Sequence, residues 1–423
     1  MRKSAAALCL LLGTLLTPAS ALAQEVTAPI TVPLHFTSMG GDIYKLGIYL
    51  GVGSGAKPAL FEFDTGGGGL YAAYASANVS RSDWWGSGVV SQNRSITVSY
   101  DSGNTYNGTL VSAAVSLFSS HHSTTPLVTI PPALLGQMDS IVKVNENTGA
   151  VTTLWGPDGE ANGVPPIDGV FFGDFGMAPK FTPDGITNLV AQLTYSPGVT
   201  AGFRVHADKA SQTAWVRIGL TAQDLADAGQ LVFPMNVDTT ANGTLTPNSN
   251  LQFFSEQLIN ATITIQGANQ TLTSTGVGIT PDTGASTTLH NTQNSSQSEE
   301  FASLIDWKNP PDDTSGDLIS GLDFSLTGTN TSNQTVGFFP FETNGTVDGG
   351  NVMVQNSRAT SSSTNYYLNT GLSLFYQYDA IYDLQNGVFG LAPVPEPSTA
   401  GLLLLAAAGG FLLRRIFRAA KSP

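Results

Sequence analysis

Leu60-Phe61-Glu62-Phe63-Asp64-Thr65-Gly66-Gly67-Gly68-Gly69-Leu70 runs an apolar strand into an Asp-Thr-Gly turn. Gly278-Ile279-Thr280-Pro281-Asp282-Thr283-Gly284-Ala285-Ser286-Thr287-Thr288-Leu289 does the same in the second half of the chain. One Asp-Thr-Gly in a chain rich in Thr and Gly reads as a β-turn. Two copies, one per half and each closing a strand, indicate a duplicated β unit that carries one carboxylate per half.

The surrounding sequence fits that unit. Hydrophobic residues make up 41% and charged residues 11%, with 46 Gly and 23 Pro in 423 residues. That is too apolar for a disordered chain and too turn-rich for a helical bundle, so the expected class is all-β. Strands are expected at Ile43–Leu50, Leu60–Phe63, Ser95–Tyr100, Leu231–Phe233 and Ala261–Gln266, where β-branched and aromatic residues are bounded by turn formers. Helical periodicity is confined to Leu220–Ala228 and Ser298–Ile305. Ser/Thr/Asn-rich stretches at 121–125, 291–298 and 357–365 read as exposed loops.

Two carboxylates brought face to face cannot both ionise cheaply, so the pair shares one proton and is base and acid at once. Such a pair can deprotonate a water held between the carboxyls and then protonate a leaving amide nitrogen. Peptide hydrolysis by this route calls for no metal and no cofactor. The Thr after each Asp can lock the two loops together, and the Gly lets a backbone amide approach the carboxylate.

The chain resembles the pepsin-like aspartic proteases, and the resemblance extends beyond the two triplets. Ser95-Ile96-Thr97-Val98-Ser99-Tyr100-Asp101-Ser102-Gly103 is similar to the flap hairpin of that family. Ile167-Asp168-Gly169-Val170-Phe171-Phe172-Gly173 resembles the strand-turn that follows it. Phe203–Ile218 resembles the strand pair that crosses between the lobes, and Ala380–Pro393 the last strands, down to Gly390-Leu391-Ala392-Pro393. These segments come in the family's order across residues 40–394. The resemblance implies a bilobal all-β acid protease fold with a lobe at 24–200, a lobe at 201–394 and a peptide-binding cleft between them. It implies Asp64 and Asp282 as the catalytic dyad, Thr65 and Thr283 as interlocking threonines supported by Gly66 and Gly284, and Tyr100, Ser102 and Gly103 as the substrate-covering flap.

Three departures from the family pattern stand out. Gly67-Gly68 replaces the usual Ser-Ser and removes a hydroxyl that steadies the first Asp. Tyr71 replaces the usual Trp and removes an indole N–H able to bond the flap tyrosine. Pro281 removes a backbone N–H just before the second Asp. The altered Gly67-Gly68 turn is what supports an alternative reading, a catalytically silent relative that holds extended peptide or matrix polymer in its cleft. A purely structural β-rich matrix protein would have to match the flap and the C-terminal strands by chance.

The ends read as addresses. Arg2, Lys3, the apolar stretch Ala5–Leu16 and Ala21-Leu22-Ala23 have the layout of a secretory signal over 1–23. The only cysteine, Cys9, lies inside it, so the exported product has no thiol for disulfides or catalysis. Asp64 follows the expected cleavage site so closely that no basic pro-segment is expected. At 395–423, Pro395-Glu396-Pro397 precedes the apolar run Ala400–Leu413 and the cluster Arg414, Arg415, Arg418 and Lys421. This tail resembles the PEP-CTERM sorting signal recognised by exosortases in Gram-negative bacteria. The resemblance implies passage through signal peptidase and exosortase, a transient hold on the inner membrane, and delivery to the cell envelope, surface or matrix.

The formal net charge is −14. Without the two ends it is more negative still, since they hold six of the 17 basic residues and only Glu396 of the 31 acidic ones. An acidic surface excludes nucleic acid, which needs clustered Lys and Arg, and tolerates acid because protonation relieves self-repulsion. His121-His122 lacks a carboxylate at ligand spacing, and Asp312, Asp313 and Asp317 lack the alternation of a calcium loop, so no metal site is expected. Trp84-Trp85 reads as packing under a loop. A monomer acting on a protein or peptide substrate is the default.

Overall fold

Strand follows strand almost throughout the computed structural model, which describes residues 25–74, 80–100, 103–144, 149–156, 164–241, 243, 245, 251–291, 303–308, 315–345, 350–356 and 366–394. The signal over 1–23, the sorting segment 395–423, Ser102, the loops at 292–298 and 357–365, and Asp312 and Asp313 lie outside the described residues. Among those described, no helix is long and apolar enough to cross a membrane.

The protein is all-β, as expected, with a fourteen-stranded and a nine-stranded sheet. The expected strands form as Ile43–Val52, Ala59–Asp64, Val90–Ser99, Val232–Pro234 and Ile259–Gln266. The first helix forms as Ala222–Ala228, capped by Asp224, whose carboxylate accepts the Thr221 N–H at 2.8 Å. The second helical expectation is corrected where it can be seen. Ser303 and Leu304 lie in a turn, and Ile305–Trp307 is a strand paired antiparallel with Ser315–Leu318. Pairing with a neighbour overrides the local periodicity there. A helix at Gly371–Gln377 was not expected, and it buries Leu372, Leu374 and Phe375.

The strands that lead into the two Asp-Thr-Gly turns sit in the same local topology. Ala59–Asp64 pairs in parallel with Gly173–Met177, which runs antiparallel to Gly68–Ala73, which in turn pairs in parallel with Val128–Val144. In the nine-stranded sheet, Thr271–Thr280 pairs in parallel with Tyr366–Asn369. Tyr366–Asn369 runs antiparallel to Thr288–Asn291, which pairs in parallel with Met353–Asn356. The alternation of directions is the same in both, as expected of a duplicated unit.

The hairpin Thr200–Asp208/Thr213–Leu220 joins the halves. Its second strand pairs with Ile30–Gly40 of the first half and its first with Tyr378–Asp383 of the second. One buried cluster runs through both halves and includes Phe63, Phe175, Phe203, Ile279 and Tyr382. A second, with Tyr71, Ile96, Tyr106, Met138 and Trp155, lies under the hairpin Val90–Ser99/Asn104–Phe118. Trp84 packs on Trp155 and Phe172, and its indole N–H donates to the Ala73 carbonyl at 2.9 Å.

Candidate active site

The two Asp-Thr-Gly turns meet where the sheets meet, and four reciprocal hydrogen bonds lock them. The Thr65 N–H donates to Thr283 Oγ1 at 3.1 Å and the Thr283 N–H to Thr65 Oγ1 at 3.0 Å. Each hydroxyl then donates into the opposite strand: Thr65 to the Pro281 carbonyl at 2.9 Å, Thr283 to the Phe63 carbonyl at 2.6 Å. Both threonines are buried, so these donors and acceptors have no water to fall back on. Pro281 costs nothing here. Its strand ends at Thr280, and its carbonyl is used as an acceptor.

The carboxylates are held as alike as the threonines. Asp64 Oδ1 accepts the Gly66 N–H and Asp282 Oδ1 accepts the Gly284 N–H, both at 2.7 Å. The two carboxyl groups are neighbours across the paired turns, each lying against the opposite turn's glycine. A Cβ on Gly66 would collide with the Asp282 carboxylate, and one on Gly284 would lie 2.8 Å from Asp64 Cγ. Each turn therefore lays its glycine on the opposite turn's aspartate, an approach closed to any residue with a side chain. Burial and the adjacent Asp64 charge hold Asp282 well above the usual carboxylate range.

Tyr100 and Gly103 lie in the turn of the hairpin expected to form a flap. The Tyr100 N–H donates to the Asn104 carbonyl and the Gly103 N–H to the Tyr100 carbonyl, both at 2.9 Å. Gly103 has a φ of +79°, suited to glycine. The indole lost at Tyr71 is not replaced by that residue. The Tyr100 hydroxyl instead donates to Asp174 Oδ2 at 2.7 Å. Of the residues singled out in the sequence, Asp64, Thr65, Gly66, Asp282, Thr283 and Gly284 lie together at the paired turns, and Tyr100 and Gly103 lie at a hairpin turn.

Three neighbours of the pair were missed. Asn369 Nδ2 donates to Asp282 Oδ2 at 2.5 Å. Asp174 is 2% exposed and lies beside Asp64, both carboxyls facing the side of Gly67 where a Cβ would stand. Burial raises its pKa well above the carboxylate range, and the nearby Asp64 and Glu62 charges raise it further. Lys180 ion-pairs with Glu256 at 3.0 Å. Burial works to discharge this lysine, but Glu256 and the two catalytic candidates outweigh it and raise its pKa. The signal available for Asp174 was a lone carboxylate inside the apolar run Phe171–Met177. Among the described residues, no group of three His, Cys, Asp or Glu is placed to hold a metal ion.

No family model matches the chain, and no curated protein matches it. Among solved structures, the chain is similar to the aspartic proteinase from Irpex lacteus, with a TM-score of 0.48 and 16% sequence identity, over 88% of this chain and 99% of that one.

Proposed function

We propose that the protein is an exported aspartic endopeptidase of the pepsin-like type, hydrolysing peptide bonds with a water held between Asp64 and Asp282. The observation that carries this reading is the reciprocal lock of Thr65 and Thr283, which brings the buried Asp64 carboxyl and the half-buried Asp282 carboxyl together across two sheets. A contact of that kind is costly unless the pair keeps a proton, and a pair that keeps one can act as acid and base together.

The pair titrates as a unit, so neither residue is labelled acid or base beforehand. The ionised carboxyl takes a proton from the water as its oxygen bonds to the carbonyl carbon, and the protonated one gives its proton to the carbonyl oxygen. Return of a proton to the amide nitrogen then accompanies breakage of the C–N bond. Tyr100, Ser102 and Gly103 would cover an extended peptide lying between lobes 24–200 and 201–394. Residues 1–23 and 395–423 would direct export through signal peptidase and exosortase, with a transient hold on the inner membrane and delivery to the envelope, surface or matrix of a Gram-negative cell.

The test is incubation of the protein with a denatured protein substrate across the acid range, with and without the family's inhibitor pepstatin. Cleavage that pepstatin suppresses is expected. Cleavage that pepstatin leaves untouched would contradict the reading.

A further inference from the structure

Asp174 and Asn369 occupy equivalent places in the duplicated unit. Asn369 pairs with Thr280, two residues before Asp282, and Asp174 pairs with Glu62, two residues before Asp64. Residues paired in a parallel ladder stand side by side on one face, and residues two apart on a strand share that face. Each side chain is therefore delivered to the flank of its own turn's aspartate. At Asp282 the neighbour is a neutral amide that donates a hydrogen bond; at Asp64 it is another carboxyl. Gly67 leaves the room for it. A Cβ there would lie 2.5 Å from Asp64 Oδ2 and 2.9 Å from Asp174 Oδ2.

The surroundings of Asp174 disfavour its charge. Glu62 stands beside it and Asp64 lies next to it on the same side of Gly67, with Asp282 beyond. Tyr71 pairs with it on the adjacent strand, and Tyr100 and Tyr106 face it from the hairpin above. The nearby cations are already engaged, Lys45 by Glu62 at 2.8 Å and Asp168 at 3.0 Å and Lys180 by Glu256 at 3.0 Å. Asp174 Oδ2 accepts the Tyr100 hydroxyl, while buried Oδ1 has no partner among the described residues. A buried carboxylate with one oxygen unpartnered and carboxyls on two sides is costly, and a neutral carboxyl is far less so.

We propose that Asp174 is a positioning residue that holds a proton in the working site. Neutral, it anchors Tyr100 over the dyad and keeps a second negative charge away from Asp64; its ionisation closes the upper end of the active pH range. This rests on the protease reading above. The site then operates with three carboxyls and two protons, and Asn369 is the permanently neutral counterpart on the other side.

The test compares the full-length wild type with Asp174→Asn, Asp174→Ala and Asn369→Asp, each checked for folding by circular dichroism and melting. Asp174→Asn preserves a neutral acceptor for Tyr100, so cleavage at acid pH should stay within about tenfold of wild type and the upper limb of kcat/KM should move to higher pH. Asp174→Ala leaves Tyr100 unanchored and should raise KM at every pH. Asn369→Asp places a carboxyl in the mirrored position and should move the upper limb to lower pH. An upper limb unchanged by Asp174→Asn would overturn the proposal, as would Asp174→Asn and Asp174→Ala behaving alike. Infrared difference spectra of wild type and Asp174→Asn, recorded without substrate at about pH 6, give a readout that needs no activity. A protonated-carboxyl carbonyl band present in wild type and missing from the variant is expected; its absence from wild type would overturn the proposal. Wild type that never cleaves, yet shows that band, would sink the protease reading and leave the protonated Asp174 standing.

Discussion

Asp64 and Asp282 have the same backbone around them and different side chains. Each accepts one N–H from the glycine two residues on, at 2.7 Å in both cases, and each lies under the other turn's glycine. Beside Asp282, however, the Asn369 amide donates at 2.5 Å, whereas beside Asp64 stands the buried acid Asp174. The duplication fixes geometry through main-chain and threonine hydrogen bonds. Charge is set separately, by the residue that the returning strand delivers to each flank. The teaching is that two geometrically equal carboxyls need not be electrostatically equal.

The comparison can be broken most severely at the carboxyls. Asp64→Asn and Asp282→Asn should each lower kcat/KM by about 10²–10⁴-fold or more, because either change removes half of the acid–base pair. The glycines come next. Gly66→Ala pushes on Asp282 and Gly284→Ala on Asp64, and displacements of this size should cost about 10²-fold in kcat, measured with the folded variants. A large loss in one and none in the other would show that the cross-packing is not reciprocal in effect.

Smaller effects sharpen the symmetry. Thr65→Val and Thr283→Val each delete a buried hydroxyl that accepts one bond and donates another. Denaturant unfolding should show each destabilised by roughly 1–3 kcal/mol and by similar amounts. The smallest effect is global. Burial and the nearby Asp64 charge hold Glu62 up at about 7 despite Lys45 beside it, from an ordinary value of 4.5. Asp174 and Asp282 are raised as well. A carboxyl raised on folding binds its proton more tightly in the folded chain, so unfolding releases protons and stability falls as pH rises through this window. For Glu62 the loss starts near 4.5 and is complete once pH has passed about 7. The melting temperature should therefore be higher near the acid end of that window than above it, and Glu62→Gln should flatten the slope.

The legible parts of the site were those written locally. A strand, an Asp-Thr-Gly and a small-residue turn are all contiguous, and their repetition at 63–66 and 281–284 needed no knowledge of the fold. The hairpin around Tyr100 was legible too, from the resemblance of the contiguous segment Ser95–Gly103 to the family's flap hairpin. Asp174 and Asn369 were not. Each gains its meaning from a parallel pairing with Glu62 or Thr280, far away in the chain, and no local pattern encodes that register. The segment Ile167–Gly173 that carries the resemblance stops one residue short of the carboxyl that holds Tyr100. The loss of an indole at Tyr71 was legible, but the carboxyl that takes over the bond to Tyr100 came from another strand. Ile305 failed for a related reason, because its partner Leu318 makes a strand of a sequence with helical spacing.

The most direct test of the account is the pH profile of kcat/KM for cleavage of a denatured protein by the wild type, Asp64→Asn and Asp282→Asn, all confirmed folded. The account predicts cleavage at acid pH by the wild type and its loss in both variants at every pH. Cleavage that survives in either variant would contradict a shared acid–base pair. A well-folded wild type that cleaves at no pH would contradict the enzyme itself and leave a cleft that binds without cutting.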